Sequence, residues 1–219
     1  MNADMKKRIL LTVAGMNILA IGIILNTKSM LGVGAINTVP YTAAEIAGVS
    51  LGTTTVILYF LFIGAQCILT RKADITAFLQ LPFSFLFGAV INLYDAVIRI
   101  TPVSITGKLL ILAAAILLTA LGTYLMTMGN LILNPPDGMV RTLSEFTGKP
   151  LGFTRNIFDI SMVVLSAAAG LILSGRTVGI GIGTLLSALL IGRFISVFQR
   201  MFSLSVKKTE QKREVKEER

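Results

Sequence analysis

Glu45 and Glu145 stand one hundred residues apart in largely apolar stretches, and the same local pattern carries both. Thr42, Glu45, Gly48, Leu51, Gly52, Thr54 and Ile57 recur as Thr142, Glu145, Gly148, Leu151, Gly152, Thr154 and Ile157, seven identities within the nineteen positions 42–60. A carboxylate is costly to hold among apolar side chains in hydrocarbon, so it faces a cavity, an ionic partner or an ion path. The chemistry open to such a pair is binding a proton or a cation. Asn37 and Asp137 share the same spacing and precede each glutamate by eight residues, where a short helix would begin. Asn37, Glu45, Asp137 and Glu145 are therefore the candidate solute or ion pathway.

The same residues also admit a purely structural use. Arg141 lies four residues before Glu145, on the same helix face, whereas Glu45 has Tyr41 at that place. Arg155 with Asp159, and Asp95 with Arg99, are likewise four apart and read as ion pairs at helix ends. Asn17, Gln80 and Asn92 fall inside apolar runs, where hydrogen bonds between helices are their expected use. Gly179, Gly181 and Gly183 offer a small face for close packing.

Several chemistries drop out. The chain has no histidine and a single cysteine, Cys67, which removes the usual general base, a disulfide within the chain and a cysteine metal cluster. No nucleophile elbow, zinc-protease helix or phosphate loop occurs, so no enzyme, no cofactor and no metal site is expected.

The elements that must position these residues follow from composition. Of 219 residues 54% are hydrophobic and 14% charged, with a mean hydropathy of +0.80. A soluble domain carries about 25% charge. Six stretches approach the ~20 apolar residues a spanning helix needs: Ile9–Leu25, Thr53–Leu69, Ile75–Ala96, Leu109–Met128, Asn156–Ser174 and Val178–Phe198. Pro82 interrupts the third, and Gly175-Arg176-Thr177 reads as a tight turn between the last two. The net charge of +9 does not point to nucleic acid, because the last fifteen residues, from Ser205, mix six basic with four acidic side chains as a solvated tail.

Six spans place both termini on one side, and lysine and arginine choose which. With the termini inside, Lys6, Lys7, Arg8, Arg71, Lys72, Arg141, Lys149, Arg155, Arg193, Arg200 and the tail lie inside; only Lys28, Arg99, Lys108 and Arg176 lie outside. Each half then holds three crossings, so the two copies of the pattern fall on opposite faces. The expected fold is all-α: six transmembrane helices as a 3+3 inverted-topology repeat with two short re-entrant or interfacial helices. Residues 1–107 form the first repeat, 108–204 the second and 205–219 a charged cytoplasmic tail. Gly48 and Gly148 end the short helices, Asp137 would cap one over Gly138–Thr147, and Asn37 is the matching cap.

The Leu31-Gly-Val-Gly-Ala35 stretch, Asn37, and Gly48-x-x-Leu51-Gly52-x-Thr54 resemble the YczE/YitT-type integral membrane proteins of Gram-positive bacteria. In that family a Gly-x-Gly-x-(Trp)-Asp stretch precedes a short helix. Here Asn37 stands where the acid would be, while Asp137 keeps it in the second copy. The resemblance implies the fold and carries no catalytic residue.

The expectation is a multi-pass protein of the bacterial cytoplasmic membrane that transports a small solute or ion, with a proton gradient as a candidate drive. Its partners are the lipid bilayer and that solute, without nucleic acid; a homo-oligomer or a membrane partner protein stays open. A passive channel, or an accessory subunit of a biosynthetic or secretory system, is the alternative.

Overall fold

A computed structural model describes residues 3–71 and 75–217, with side chains from residue 4 to residue 201 outside 72–77. Lys72 and the charges of the tail therefore lie outside the described side chains. Eight helices follow one another: α1 (Ala3–Lys28), α2 (Thr38–Ala47), α3 (Leu51–Thr70), α4 (Ile75–Val97), α5 (Ile105–Gly129), α6 (Pro135–Thr147), α7 (Leu151–Ser174) and α8 (Ile182–Glu217). A 3₁₀ turn, Ala35–Asn37, leads into α2. Among the described residues six helices are long and apolar enough to cross a bilayer, over Asp4–Lys28, Leu51–Thr70, Phe78–Val97, Ile105–Gly129, Leu151–Ser174 and Ile182–Met201. No strand occurs among the described residues.

Corresponding backbone features recur one hundred residues apart. Gly48 and Gly148 end α2 and α6 in the left-handed conformation, at φ 65° and 66°, and α3 and α7 start at Leu51 and Leu151. Met30 and Asn130, just past the ends of α1 and α5, also have positive φ.

The centre of the bundle is the crossing of α1 with α5, which run antiparallel. Small residues bring their backbones together: a Cβ on Gly22 would lie 2.5 Å from Thr119 Oγ1, and one on Gly122 would lie 2.4 Å from Leu19 N. Among helices surrounded by lipid, van der Waals contact of this kind replaces the hydrophobic drive of soluble cores. Arg8 fastens one end, its guanidinium donating to Gly129 O and Asn130 O at the carbonyl end of α5.

Around this pair, α4 packs on α1 and α3, and α8 packs on α5. The short helices cross over: α2 lies against α7 and α6 against α3. Thr38 Oγ1 donates to Met162 O at 3.2 Å, and Thr42 Oγ1 shares a 2.7 Å bond with Ser166 Oγ. On the opposite side Gln66 Nε2 reaches Gln80 Oε1 and Pro135 O, both at 3.3 Å. Asn17 and Asn92 also bond across helices, Tyr94 Oη donating to Asn17 Oδ1 and Gly52 N to Asn92 Oδ1, both at 2.9 Å.

Three local expectations are corrected. The sixth span starts at Ile182, and residues 175–181 form a longer connection than a tight turn, with Gly175 and Gly179 at positive φ. Gly179 and Gly181 thus sit in a loop, not on a helix face. The loop is held by backbone bonds from Val33 N to Gly179 O and from Gly183 N to Leu31 O. The helix after Leu131 starts at Pro135 with Asn134 as N-cap, which leaves Asp137 in the first turn. Two prolines without N–H donors suit that first turn, where no intrahelical partner exists.

Candidate functional site

A cavity of about 100 Å³ lies inside the bundle. Leu19, Tyr59 and Thr119, near the middles of α1, α3 and α5, form part of its wall, so it sits at mid-length of the spans. The N-terminal ends of both short helices reach it. Gly34 to Asn37 enter from the α2 side, and Asn134, Pro136 and Asp137 from the α6 side. Helix α7 contributes Arg155, Asn156 and Asp159, and α8 contributes Ser187, Ala188 and Gly192.

The charges are coupled. Arg155 Nη1 donates to Asp137 Oδ1 at 2.5 Å, while Arg155 Nε stays 4.0 Å from Asp159 Oδ2. The expected Arg155–Asp159 pair is thus the longer of two contacts, and the principal partner of Arg155 lies on another helix. One guanidinium faces two carboxylates, a formal excess of one negative charge. Asp159 Oδ1, Asn134 Oδ1 and Thr119 Oγ1 are buried without hydrogen-bond partners. The Thr119 hydroxyl packs against Gly22, in the α1–α5 crossing.

Of the four pathway candidates, the structure brings Asn37 and Asp137 together at this cavity and leaves both glutamates outside it. Glu145 is 65% exposed at the far end of α6 and binds the equally exposed Arg141 at 3.0 Å. Glu45 lies near the exposed C-terminal end of α2, in a shallow depression shared with Tyr41, Lys28 and Asp95. Burial first, and then the neighbouring Glu45 carboxylate, push the Tyr41 hydroxyl above its ordinary value. Tyr41 therefore remains protonated and hydrogen-bonds to the Glu45 side chain. Asp95 does not take Arg99 as partner: it binds Lys28 at 2.7 Å, and Arg99 Nε donates to Ala96 O at 3.1 Å. Arg99 lies two residues past Val97, the end of α4, where the i,i+4 geometry no longer holds.

Asn134, Asn156 and Ser187 also line the cavity, and none stood out in the sequence as a site residue. The available signal was Asn134 directly ahead of Pro135-Pro136, a helix start inside a polar–apolar boundary. Among the described residues no group of three or more histidine, cysteine or acidic side chains could hold a metal.

One wall of the cavity is incomplete. Helices α7 and α8 scarcely touch. Asn156, Ala188 and Gly192 line the cavity and are exposed on the outside of the bundle as well. A Cβ added at Gly152 or Gly192 would meet nothing within 4 Å.

Residues 6–200 match a family described as a family of unknown function, DUF6198, and the chain belongs to it. It is similar to the uncharacterized protein YyaS of Bacillus subtilis, with 28% identity over 84% of this chain and 88% of that one. It is also similar to the uncharacterized membrane protein YczE of the same organism, with 26% identity over 82% of this chain and 79% of the relative. The YczE-like resemblance and the membrane character thus stand together. No solved structure matches.

Proposed function

We propose that this member of the DUF6198 family transports a small solute or ion across the bacterial cytoplasmic membrane, with its site in the cavity between two inverted repeats, residues 1–107 and 108–204. The supporting observation is the convergence of two short-helix N-termini, one from each repeat, on a single charged cavity at mid-length of the spans. Short helices of 10 and 13 residues are about 15–20 Å long and cannot cross the ~30 Å hydrocarbon core. Their buried N-terminal halves pack against spans and expose only their C-terminal ends, as re-entrant half-helices do.

Reciprocal contacts support the repeat. A two-fold exchange of residue n with residue n + 100 turns the Gly22–Thr119 approach into the Leu19–Gly122 approach, and both occur. It also turns α2 on α7 into α6 on α3, and α4 on α1 into α8 on α5; all four pairings are present. The lysine and arginine distribution supports a cytoplasmic side for both termini. Energy comes from an ion gradient, and no catalytic step is assigned to the cavity.

Reconstitution into liposomes tests this. Saturable flux of a solute or ion is expected, reduced at least tenfold by Asp137→Asn in protein that keeps its thermal stability. Flux without saturation makes the cavity part of a passive channel. Absence of flux across ions and small metabolites from intact protein leaves the accessory-subunit alternative.

A further inference from the structure

The opening between α7 and α8 bears on what the cavity holds. Both helices are spans, so a gap in their side faces hydrocarbon and not water. Apart from Asn156 at the opening itself and Arg193 beside Gly192, the exposed side chains on the outer faces of α7 and α8 next to it are apolar: Ile157, Ile160 and Val164 on α7, and Leu185 and Leu189 on α8. Behind this apolar entrance stand Asp137, Arg155 and Asp159. Asp159 is the ninth residue of α7, roughly 12 Å along a span of 24 residues, which places the charged group beneath the membrane surface. A site polar inside, apolar at the mouth and opening sideways matches a ligand with a polar head and an apolar tail.

The interior also selects the head. Arg155 is committed to Asp137 at 2.5 Å, and Asp137 in turn occupies the first turn of α6, satisfying the positive end of that helix. Asp159 is left as the surplus carboxylate, with one oxygen 4.0 Å from Arg155 and the other unpartnered. Asn134 Oδ1 adds a second acceptor without a donor. What the surplus carboxylate lacks is a positive charge of its own, with a hydrogen to donate to its unpartnered oxygen, the offer of an ammonium group. A volume of about 100 Å³ admits a head group of a few heavy atoms and no more, because an engineered apolar cavity of about 150 Å³ already suffices for benzene.

We propose that the cavity binds the ammonium head group of a membrane-resident amphiphile, which enters sideways between α7 and α8 with its tail in the gap. This rests on the cavity being the transport site. The test uses the full chain in phosphatidylcholine nanodiscs and a photoactivatable n-dodecylammonium probe, with cross-linked residues mapped by mass spectrometry. Saturable labelling along α7 and α8 is expected, competed by unlabelled n-dodecylammonium and not by n-butylammonium, sodium or n-dodecyl sulfate at equal concentration. Asp159→Asn keeps the shape of the side chain and is expected to lower labelling at least fivefold. Gly192→Phe, placed where nothing lies within 4 Å, should block the mouth to a similar extent without affecting the fold.

Competition by n-butylammonium or sodium as strong as by the long-chain amine overturns the amphiphile and leaves a soluble cation as the transported species. Equal competition by n-dodecyl sulfate, or labelling indifferent to Asp159→Asn, overturns the head-group assignment. Absence of saturable labelling together with absence of flux in liposomes removes both the inference and the transport function; absence of labelling with flux intact removes the inference alone.

Discussion

Helices α3 and α4 close tightly where α7 and α8, at the corresponding places one hundred residues on, stand apart. A Cβ on Gly52 would lie 2.1 Å from Gly88 O, and one on Gly88 would lie 2.3 Å from Val56. Of their counterparts, Gly152 is as small yet faces open space, and Ala188 is exposed and carries the Cβ for which Gly88 leaves no room. Small residues permit a close crossing but do not impose one. What α3–α4 has in addition is Asn92, whose Oδ1 accepts from Gly52 N; the counterpart of Asn92 is Gly192, which has no side chain to offer. The pinned pair seals its side of the bundle, and the unpinned pair leaves the charged cavity open.

The largest difference between the two pairs is expected from the same substitution made in each. Gly52→Leu forces α3 and α4 apart at a backbone contact and should cost about 3 kcal/mol or more, seen as a large loss of folded protein or thermal stability in detergent. Gly152→Leu enters open space and should stay within about 1 kcal/mol of the native chain. Similar losses at both positions would mean that α7 and α8 spend most of their time as closely packed as α3 and α4.

Next in size is Asp137→Ala. It removes the 2.5 Å partner of Arg155 and leaves that guanidinium, 31% exposed, with a contact of 4.0 Å. Stripping one member from a partly buried pair should cost about 1–3 kcal/mol, less than for a fully buried one. Asp137→Asn retains an oxygen acceptor and separates loss of flux from loss of stability. A smaller effect, about 1 kcal/mol, is expected for Asn92→Ala, which frees Gly52 N from its bond. If Asn92 is the pin, this variant should also raise exchange of the Gly52 amide with solvent deuterium.

Much of the fold was legible because it is written in long-period features. Apolar runs gave six spans, and Gly48 and Gly148 gave the ends of both short helices. The site was half legible. Asn37 and Asp137 share a spacing and a cavity, whereas Glu45 and Glu145 share a spacing and face outward at the ends of their helices. Identity between copies marked the common architecture of the two half-length helices, and their C-terminal ends emerge from the bundle. Arg155 and Asp159 misled in the opposite sense: their i,i+4 spacing suggested a self-contained pair, and only tertiary packing brings Asp137 to Arg155 from α6. An ion pair eighteen residues apart leaves no periodic mark in a sequence.

The smallest effect expected is the one the sequence alone would rank highest. Glu145→Gln removes a carboxylate that is 65% exposed, as is its partner Arg141, and exposed pairs at i,i+4 contribute about 0.3–0.5 kcal/mol. Glu45→Gln leaves an amide that can still accept from Tyr41, whose hydroxyl stays protonated in the variant because burial alone already raises its pKa. Each variant should therefore unfold within about 0.5 kcal/mol of the native protein and carry flux unchanged. Asp137→Asn, measured beside them in the same liposomes, supplies the contrast. A tenfold loss in either glutamine variant, equal to that of Asp137→Asn, would move the ion path to the outer ends of the short helices. Loss at Asp137 alone ties the path to the place where their N-termini meet.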